Sequence, residues 1–295
     1  MKLMTLRQRE AIAGVLFVSP QLLGFFVFVL GPLVAVLTFG LFRWNIIFGE
    51  LDFIGLSNYR QMLGDPEVWE VAVTTVLFGS GFVPLTVLGG LGLAVALNRQ
   101  TKVSIALRAA YFMPVVISLA AWTIVWRLIL QPNGPLNALL ELAGASPIPW
   151  LRGPTFALVS VIAVQVLKTL GYSMVLFLAA LQTVPSELVE AARVDGASPI
   201  KSFRYVTVPL IAPFTFMVTV LLTIASFKTF ALIHLLTMGG PGIETTVMSY
   251  YIYVQGLQLF DMGYASALAT VLFSAVLALT VIQFVLRRRW VFEGG

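Results

Sequence analysis

The sequence predicts an all-α protein, a polytopic bundle of six transmembrane helices. Two observations support this fold class. Of the 295 residues, 59% are hydrophobic and only 11% are charged, and the mean hydropathy is +0.96. A soluble domain carries about 25% charged residues, so most of this surface must face lipid. The second observation is that the chain contains six runs of about 20 mainly apolar residues, the length that crosses a bilayer.

These six runs define the predicted spans of a single transmembrane domain, residues 1–295. In chain order the spans cover residues 12–42, 71–97, 109–130, 156–181, 206–230 and 265–286. The first contains Pro20 and Pro32, and it is longer than the 7–15-residue apolar core of a cleaved signal peptide. The second contains Pro84 and a glycine-rich run over 89–92. Neighbouring helices satisfy the backbone groups that proline frees, and small residues permit close helix packing.

Lysine and arginine are distributed unequally between the two sides of the predicted bundle. Both tails and the even-numbered loops carry 12 of the 18 basic residues, namely Lys2, Arg7, Arg9, Arg99, Lys102, Arg108, Arg193, Lys201, Arg204, Arg287, Arg288 and Arg289. The opposite side carries Arg43, Arg60, Arg152 and Lys228. The positive-inside rule therefore places both termini in the cytoplasm. Topology and contact with anionic lipid account for the pI near 9.6, and no nucleic-acid partner is needed.

Several kinds of chemistry are excluded by composition. The chain has no cysteine, which excludes disulfides and cysteine-based metal sites, and a single histidine, His234, leaves no His-cluster metal site. A phosphate loop of the form GxxxxGK[ST] is absent, so the chain does not bind ATP in that manner. We predict a transport subunit, not an enzyme, with no cofactor or metal of its own.

The loop between the fourth and fifth spans, within 185–213, is the most informative segment. Ser186 is the expected N-cap of a first short helix, and two glutamates near the start of that helix suit its dipole. Gly196 predicts a sharp break, and a second short helix follows over 198–205 with Pro199 in its first turn. The prediction is a helix–glycine–helix loop over 185–205. From these features alone, an amphipathic connector on the lipid headgroups is the favoured interpretation.

The order of residues in this loop indicates a more specific function. The loop contains Glu190, Ala191 and Ala192, then Asp195, Gly196 and Ala197, and then a proline about a dozen residues later. This order resembles the EAA loop of the permeases of binding-protein-dependent ABC importers. The stretches 236–242 and 263–267 are similar to the maltose-permease-like and glycerol-phosphate-permease-like branches. The resemblance runs from about Ile12 to the C-terminus and implies the type I ABC importer permease architecture.

In that family the EAA loop is a coupling helix that sits in a cleft of a cytoplasmic ATPase. The resemblance therefore implies ATPase-coupling roles for Glu190, Ala191, Ala192, Asp195, Gly196 and Ala197. It also implies a second homologous permease subunit, two ABC ATPases that bind ATP and Mg, and an extracytoplasmic solute-binding protein, assembled in the inner membrane. The expected role is half of the translocation pathway for a sugar or related solute, such as a maltose/trehalose-type oligosaccharide or glycerol 3-phosphate.

Polar side chains within the predicted spans are candidates for the solute pathway, because polar groups in a membrane are costly and face a cavity or the bundle interior. The candidates are Ser118, Lys168, Tyr172, Ser226 and Thr229. Gln165, Lys168 and Tyr172 share one helix face by their spacing. The resemblance to maltose-type permeases implies sugar contacts at all of the candidates except Ser118. The alternatives are an interhelical hydrogen bond for each residue and, for Lys168, a snorkelling side chain.

Two further alternatives remain open from the sequence. An ion-gradient-driven secondary transporter would also explain the hydropathy, but it would not explain the loop, and the internal repeat common in such transporters is not evident. Aromatic residues over 250–264 on the outer side indicate an interfacial belt, with a docking surface for the external binding protein as the alternative.

Overall fold

The computed structural model describes residues 6–47 and 49–290. Lys2, which contributed to the predicted orientation, lies outside these residues, and so do the side chains of Arg9, Arg288 and Arg289. The elements in chain order are α1 (Leu6–Phe25), a π-helical turn (Phe26–Leu30), α2 (Gly31–Phe39), β1 (Phe42–Asn45), β2 (Glu50–Phe53), α3 (Ser57–Gly64), α4 (Pro66–Ala96), α5 (Lys102–Val116), α6 (Leu119–Ile129), α7 (Pro135–Leu142), α8 (Pro154–Gln182), α9 (Ser186–Val194), α10 (Pro199–Ser202), a second π turn (Phe203–Thr207), α11 (Val208–Phe227), α12 (Ala231–Leu236), α13 (Met248–Tyr253), a third π turn (Val254–Gln258) and α14 (Met262–Trp290).

Five helical segments among the described residues are long and apolar enough to cross a membrane. They are Ile12–Phe39, Pro66–Ala96, Pro154–Gln182, Pro199–Phe227 and Met262–Arg287. A sixth crossing is available if α5 and α6, which meet at an angle of 102°, are taken together. The predicted membrane-type helical architecture is therefore confirmed.

The predicted third span, 109–130, is wrong as a continuous helix. Helix α5 ends at Val116, and Ile117 and Ser118 adopt extended backbone angles before α6 begins at Leu119. Two local features produce this break. Pro114 lies in the last turn of α5, where it removes one backbone donor, and the Ser118 side chain caps the N-terminus of α6.

A two-stranded hairpin departs from the all-α prediction. Strands β1 and β2 pair antiparallel, with Arg43 opposite Asp52. An opposite-charge pair on facing strands adds to the stability of such a ladder. The first spanning segment consequently ends at Phe39, short of the predicted residue 42, because residue 42 already belongs to the hairpin.

The chain divides into two compact units. The first comprises Met1–Gly64 and Ile252–Val271. Its organising side chain is the buried Asn58 on α3, whose amide nitrogen donates to the carbonyls of Gly40 and Phe42 at 3.0 and 2.9 Å. Gly263 packs so tightly that a Cβ at that position would collide with the carbonyl of Phe42. The hairpin is therefore fixed by backbone contacts that leave no space for larger residues.

The second unit comprises Asp65–Tyr251 and Leu272–Gly295. Helix α8 is its centre and packs against α4, α5 and α11. Along the α4 contact, a Cβ on Gly90 would collide with the side chain of Ser173, and one on Gly89 would meet Leu170 at 2.7 Å. The glycine-rich run of the second predicted span is thus the surface on which α8 lies closest to α4, as small residues allow.

We expect Gly171→Ala to destabilise the second unit. A Cβ on Gly171 of α8 would collide with the backbone carbonyl of Tyr111 on α5, and a backbone atom cannot rotate away. Overpacking of this kind costs about 1–3 kcal/mol. Gly92→Ala is the matched control, since nothing lies within 4 Å of its Cβ position. Thermal unfolding of the purified protein should show a lower Tm for Gly171→Ala only, and equal Tm values would contradict this packing.

Candidate functional site

The loop that follows α8 forms a short exposed helix, α9, and a sharp turn. Helix α9 begins at Ser186, so Ser186 is its first residue; the N-cap position is held by Pro185 and has no side-chain cap bond. The sequence prediction of Ser186 as the N-cap is therefore wrong by one residue. Glu187 in the first turn and Arg193 in the last turn both suit the helix dipole.

The turn at the end of α9 is a Schellman motif centred on Gly196. The amide of Gly196 donates to the carbonyl of Arg193 at 3.0 Å, and the amide of Ala197 donates to that of Ala192 at 2.9 Å. The φ angle of Gly196 is +81°, a conformation that glycine adopts at little cost. Two of the residues singled out in the sequence therefore have distinct structural roles. Ala192 supplies a carbonyl acceptor for the turn, and Gly196 adopts the backbone conformation that the turn requires.

After the turn, the chain enters the fifth spanning segment without a break. The Ser198 side chain accepts from the amide of Lys201 at 3.4 Å and caps α10. Helix α10 continues through the π turn Phe203–Thr207 directly into α11. The predicted separate helix over 198–205 is therefore the first part of a continuous helical segment that runs from Pro199 to Phe227.

The 185–205 loop exposes apolar and acidic side chains together. Val194, Ile200 and Tyr205 are 87%, 79% and 70% exposed, and Glu190 and Asp195 are also exposed. Behind α9 lies a cavity of about 340 Å³, bordered by the ends of α4 and α8 and by the second π turn. An exposed helix with apolar side chains at its tip and an open space behind it has the features of a docking element.

The predicted pathway residues divide into two groups by their contacts. In the first group, Lys168 on α8 extends to the broken third span, where its ammonium donates to the carbonyls of Pro114 and Ile117, each at 2.5 Å. These carbonyls belong to the C-terminal end of α5, which has no further helical turn to satisfy them. The ammonium also lies 5.8 Å from the centre of the Trp122 ring on α6.

The same face of α8 holds the other side of the break. The indole nitrogen of Trp122 donates to the carbonyl of Val164 at 3.2 Å, one helical turn before Lys168. Gly171, one turn further on, lies against the backbone of α5. We call Val164, Lys168 and Gly171 the α8 bracket. Ser118 takes part in the same break, since its hydroxyl oxygen accepts from the amide of Ala121 at 3.3 Å.

In the second group, two residues are buried and one is exposed. Ser226 donates to the carbonyl of Thr223 at 2.7 Å, and Thr229 donates to that of Ala225 at 3.0 Å. Both side chains are less than 10% exposed. Tyr172 is 41% exposed, and within the described residues its hydroxyl makes no hydrogen bond. Tyr172 is therefore the member of the second group whose polar group is available to a ligand.

The sequence did not predict the contacts of the α8 bracket with α5 and α6, and its prediction of an interfacial belt over 250–264 was wrong for three tyrosines. Pro114 followed by Ser118 was the local signal for a break, because a proline and a capping residue stood four positions apart inside one predicted span. Trp122 and the carbonyl of Val164 had no such signal. Three of the tyrosines over 250–264 are almost fully buried, which rules out an interfacial belt for Tyr250, Tyr251 and Tyr264.

The comparisons with known proteins agree with this geometry. Residues 87–291 match the family model described as "Binding-protein-dependent transport system inner membrane component". The trehalose/maltose transport system permease protein MalF of Thermococcus litoralis is 34% identical over 281 residues, covering 94% of each chain. The sn-glycerol-3-phosphate transport system permease protein UgpA of Pectobacterium atrosepticum is 30% identical, covering 90% of this chain and 91% of the relative.

A solved structure shares the fold over nearly the whole chain. A chain of a bacterial alginate ABC transporter, determined in complex with an alginate-pentasaccharide-bound periplasmic protein, superposes with a TM-score of 0.84. It is 21% identical and covers 97% of this chain and 97% of its own. At this level of identity the likeness concerns the fold alone.

The fold and the matches define the class of protein as a membrane-embedded permease subunit of an ABC importer. The chain belongs to the binding-protein-dependent transport system inner membrane component family. The resemblance drawn from the EAA-like loop is therefore confirmed. The same match decides against the ion-gradient-driven transporter as the alternative.

We expect Lys168→Met to weaken the second unit through the loss of the bracket. A hydrogen bond from a charged donor contributes about 1.5–3 kcal/mol net, and methionine leaves the two α5 carbonyls without their donor. The Tm of the purified protein without any solute should fall, and Lys168→Arg should restore part of it. Lys228→Met, at the exposed end of α11, is the control. An unchanged Tm together with a raised KM would instead indicate that Lys168 contacts solute.

Proposed function

We propose that this permease carries a sugar or a related small solute, such as a maltose/trehalose-type oligosaccharide or glycerol 3-phosphate. The names of the two relatives support this class, since one is a trehalose/maltose and the other an sn-glycerol-3-phosphate transport system permease protein. The chain forms half of the pathway as a single transmembrane domain. A second homologous permease subunit, two cytoplasmic ABC ATPases and an extracytoplasmic solute-binding protein complete the importer.

The exposed 185–205 loop is the observation that carries the proposal. It docks on the ATPase through Glu190, Ala191, Ala192, Asp195, Gly196 and Ala197. The small residues permit close approach of the partner, and the two carboxylates can pair with basic side chains on it. This assignment requires the loop and both termini to lie in the cytoplasm, and the basic residues Arg193, Lys201 and Arg204 in the same loop support that orientation.

Motion of this loop is transmitted along the helical segment from Pro199 to Phe227. Closure of the ATPase pair moves α9, and the Schellman turn passes the motion to α10 and α11. Because α11 packs against α4 and α8, the displacement reaches the helices that line the solute pathway. A rigid-body switch between inward-facing and outward-facing states needs a stiff connection of this kind.

The function is tested by transport in reconstituted vesicles. The complete complex, with its solute-binding protein outside and ATP inside, should take up radiolabelled maltose, trehalose or glycerol 3-phosphate. Uptake should need ATP and survive collapse of the ion gradients by an ionophore. Uptake that does not depend on ATP and stops when the ionophore is added would contradict the proposal. If none of these solutes is taken up, the substrate class is excluded.

We expect Gly196→Val to uncouple ATP hydrolysis from transport. The φ of +81° is unfavourable for a β-branched residue, so the turn should distort even though nothing lies within 4 Å of the Cβ position. Gly196→Asn should retain most coupling, because asparagine tolerates this conformation. Gly144→Val is the matched control, since Gly144 has a φ of +78° and equally open surroundings. The ratio of solute transported to ATP hydrolysed measures the effect, and an unchanged ratio in Gly196→Val would exclude this role for the turn.

The solute pathway is proposed to include Tyr172 together with Ser118, Lys168, Ser226 and Thr229. Tyr172 contacts the solute directly, since an aromatic ring with a free hydroxyl suits a sugar face. The other four act mainly by shaping the helices, because their polar groups already have backbone partners. The solute therefore meets side chains of α8 whose neighbours are held in place by the bracket.

We expect Tyr172→Ala to raise the KM for solute by about ten-fold, as the loss of one good contact predicts. The Tm should change little, because the side chain is substantially exposed. Leu167→Ala, an exposed apolar position on the same helix, is the control and should leave the KM unchanged. Equal KM values for wild type and Tyr172→Ala would remove Tyr172 from the pathway.

A further inference from the structure

The loop between α6 and α8 encloses a cavity of about 320 Å³. Its walls come from the end of α6, from residues 131–132 and 149–152, and from the end of α12. All of these belong to the second compact unit. Under the proposed orientation this loop lies on the outer side of the membrane, on the face opposite the 185–205 loop.

A buried asparagine makes the wall of this cavity rigid. Asn137 is 1% exposed, and its side-chain oxygen accepts from the amide of Ile148 and the indole of Trp150 at 3.0 and 2.9 Å. Its side-chain nitrogen donates to the carbonyls of Pro132 and Ile148 at 2.9 and 3.0 Å. Because this one side chain ties together both ends of the loop, the cavity is preorganised and does not need to form around a ligand.

Two arginines lie at this cavity. Arg127 is in the last turn of α6, and Arg152 lies just before α8. Both are exposed, and neither forms an ion pair or a side-chain hydrogen bond with any residue in the described part of the chain. Basic residues are depleted from outer loops by the positive-inside rule, so topology does not explain two of them at one cavity.

The chemistry of the cavity points to a carboxylate. A guanidinium presents a planar fork of donors that matches a carboxylate in bidentate geometry. Gln131 adds a polar residue to the lining, whereas the hydroxyl of Thr237, which also lines the cavity, is already hydrogen-bonded to Thr245 at 2.7 Å. Two like charges at one cavity repel each other, and an anion bound between them removes that repulsion.

The exposure of the arginines favours a protein ligand over a free solute. A free carboxylate at exposed charges interacts in high dielectric and is screened by salt, so it binds weakly. A protein that docks over the cavity excludes water and strengthens the same contacts. We propose that the cavity receives an aspartate or glutamate side chain of the solute-binding protein, an inference that rests on the proposed function and orientation.

The test uses the complete importer in lipid nanodiscs. The affinity of the solute-binding protein is measured against salt concentration for wild type, Arg127→Gln, Arg152→Gln and the double variant. We expect the double variant to lose affinity by about ten-fold or more, with a weaker salt dependence. Arg60→Gln, an exposed arginine on α3 outside the cavity, should change affinity less than two-fold. Charge reversal by Arg152→Glu should be rescued by an arginine in place of one acidic residue on the binding protein.

The outcomes separate this inference from the proposed function. If wild type binds the solute-binding protein and the double variant binds equally well, the docking inference is wrong and the function stands. An equal loss in Arg60→Gln would reduce the effect to general surface charge and overturn the cavity as the site. If docking is intact but uptake of a carboxylated solute alone is lost, the cavity serves the solute. If the double variant no longer assembles into the importer, the cavity lies at a subunit interface and the docking inference is wrong. If the wild-type importer does not bind the solute-binding protein and its activity does not respond to it, the docking inference and the proposed function are both wrong.

Discussion

The ammonium of Lys168 satisfies the end of a helix that stops inside a predicted span, and the rest of the second unit depends on this contact. A broken helix leaves carbonyls without partners, and lipid supplies none. Lys168 donates to two of them, while the neighbouring turn of α8 accepts the Trp122 indole of the next helix. With both sides of the break held by one helix, α6 has a defined direction. Helix α12 packs against α6, so its position follows from that direction. The cavity lined by the ends of both helices is positioned in the same way.

Helix α8 also connects the two functional ends of the proposed mechanism. Its C-terminal end leads into the 185–205 loop, and its flank packs against α11, which continues from that loop. A displacement of α9 can therefore reach α8 by two routes, through the chain itself and through the helix packing. Glycines at the contacts with α4 and α5 let α8 pack closely against both helices. A stiff assembly of this kind suits a switch between two discrete states.

Most of the apolar spanning segments and the glycine turn at Gly196 could be predicted because their signals are local. Apolar runs of sufficient length and a fixed order of small and acidic residues need no knowledge of tertiary contacts. The role of Lys168 could not be predicted in this way, since its acceptors lie more than 50 residues earlier in the chain. The hairpin at 42–53 was not predicted, because its stability depends on pairs across the strands, such as Arg43 with Asp52, and not on a local pattern. Ser118 was predicted as a polar residue within a span. Its role as the N-cap of α6 could not be predicted, because it depends on the break between α5 and α6.

Some basic residues are not explained by the positive-inside rule, and the structure shows specific contacts for two of them. Lys168 terminates a helix inside the span, and Arg43 lies opposite Asp52 in the hairpin. Arg127 and Arg152 differ from these, because no partner within the described chain neutralises them although the wall around them is held rigid by Asn137. The chain therefore presents exposed charge in two places, with acidic and basic side chains mixed in the 185–205 loop and two arginines at the cavity between α6 and α8. The proposed partner at the cavity must then supply negative charge, whereas the proposed partner at the 185–205 loop must match charges of both signs.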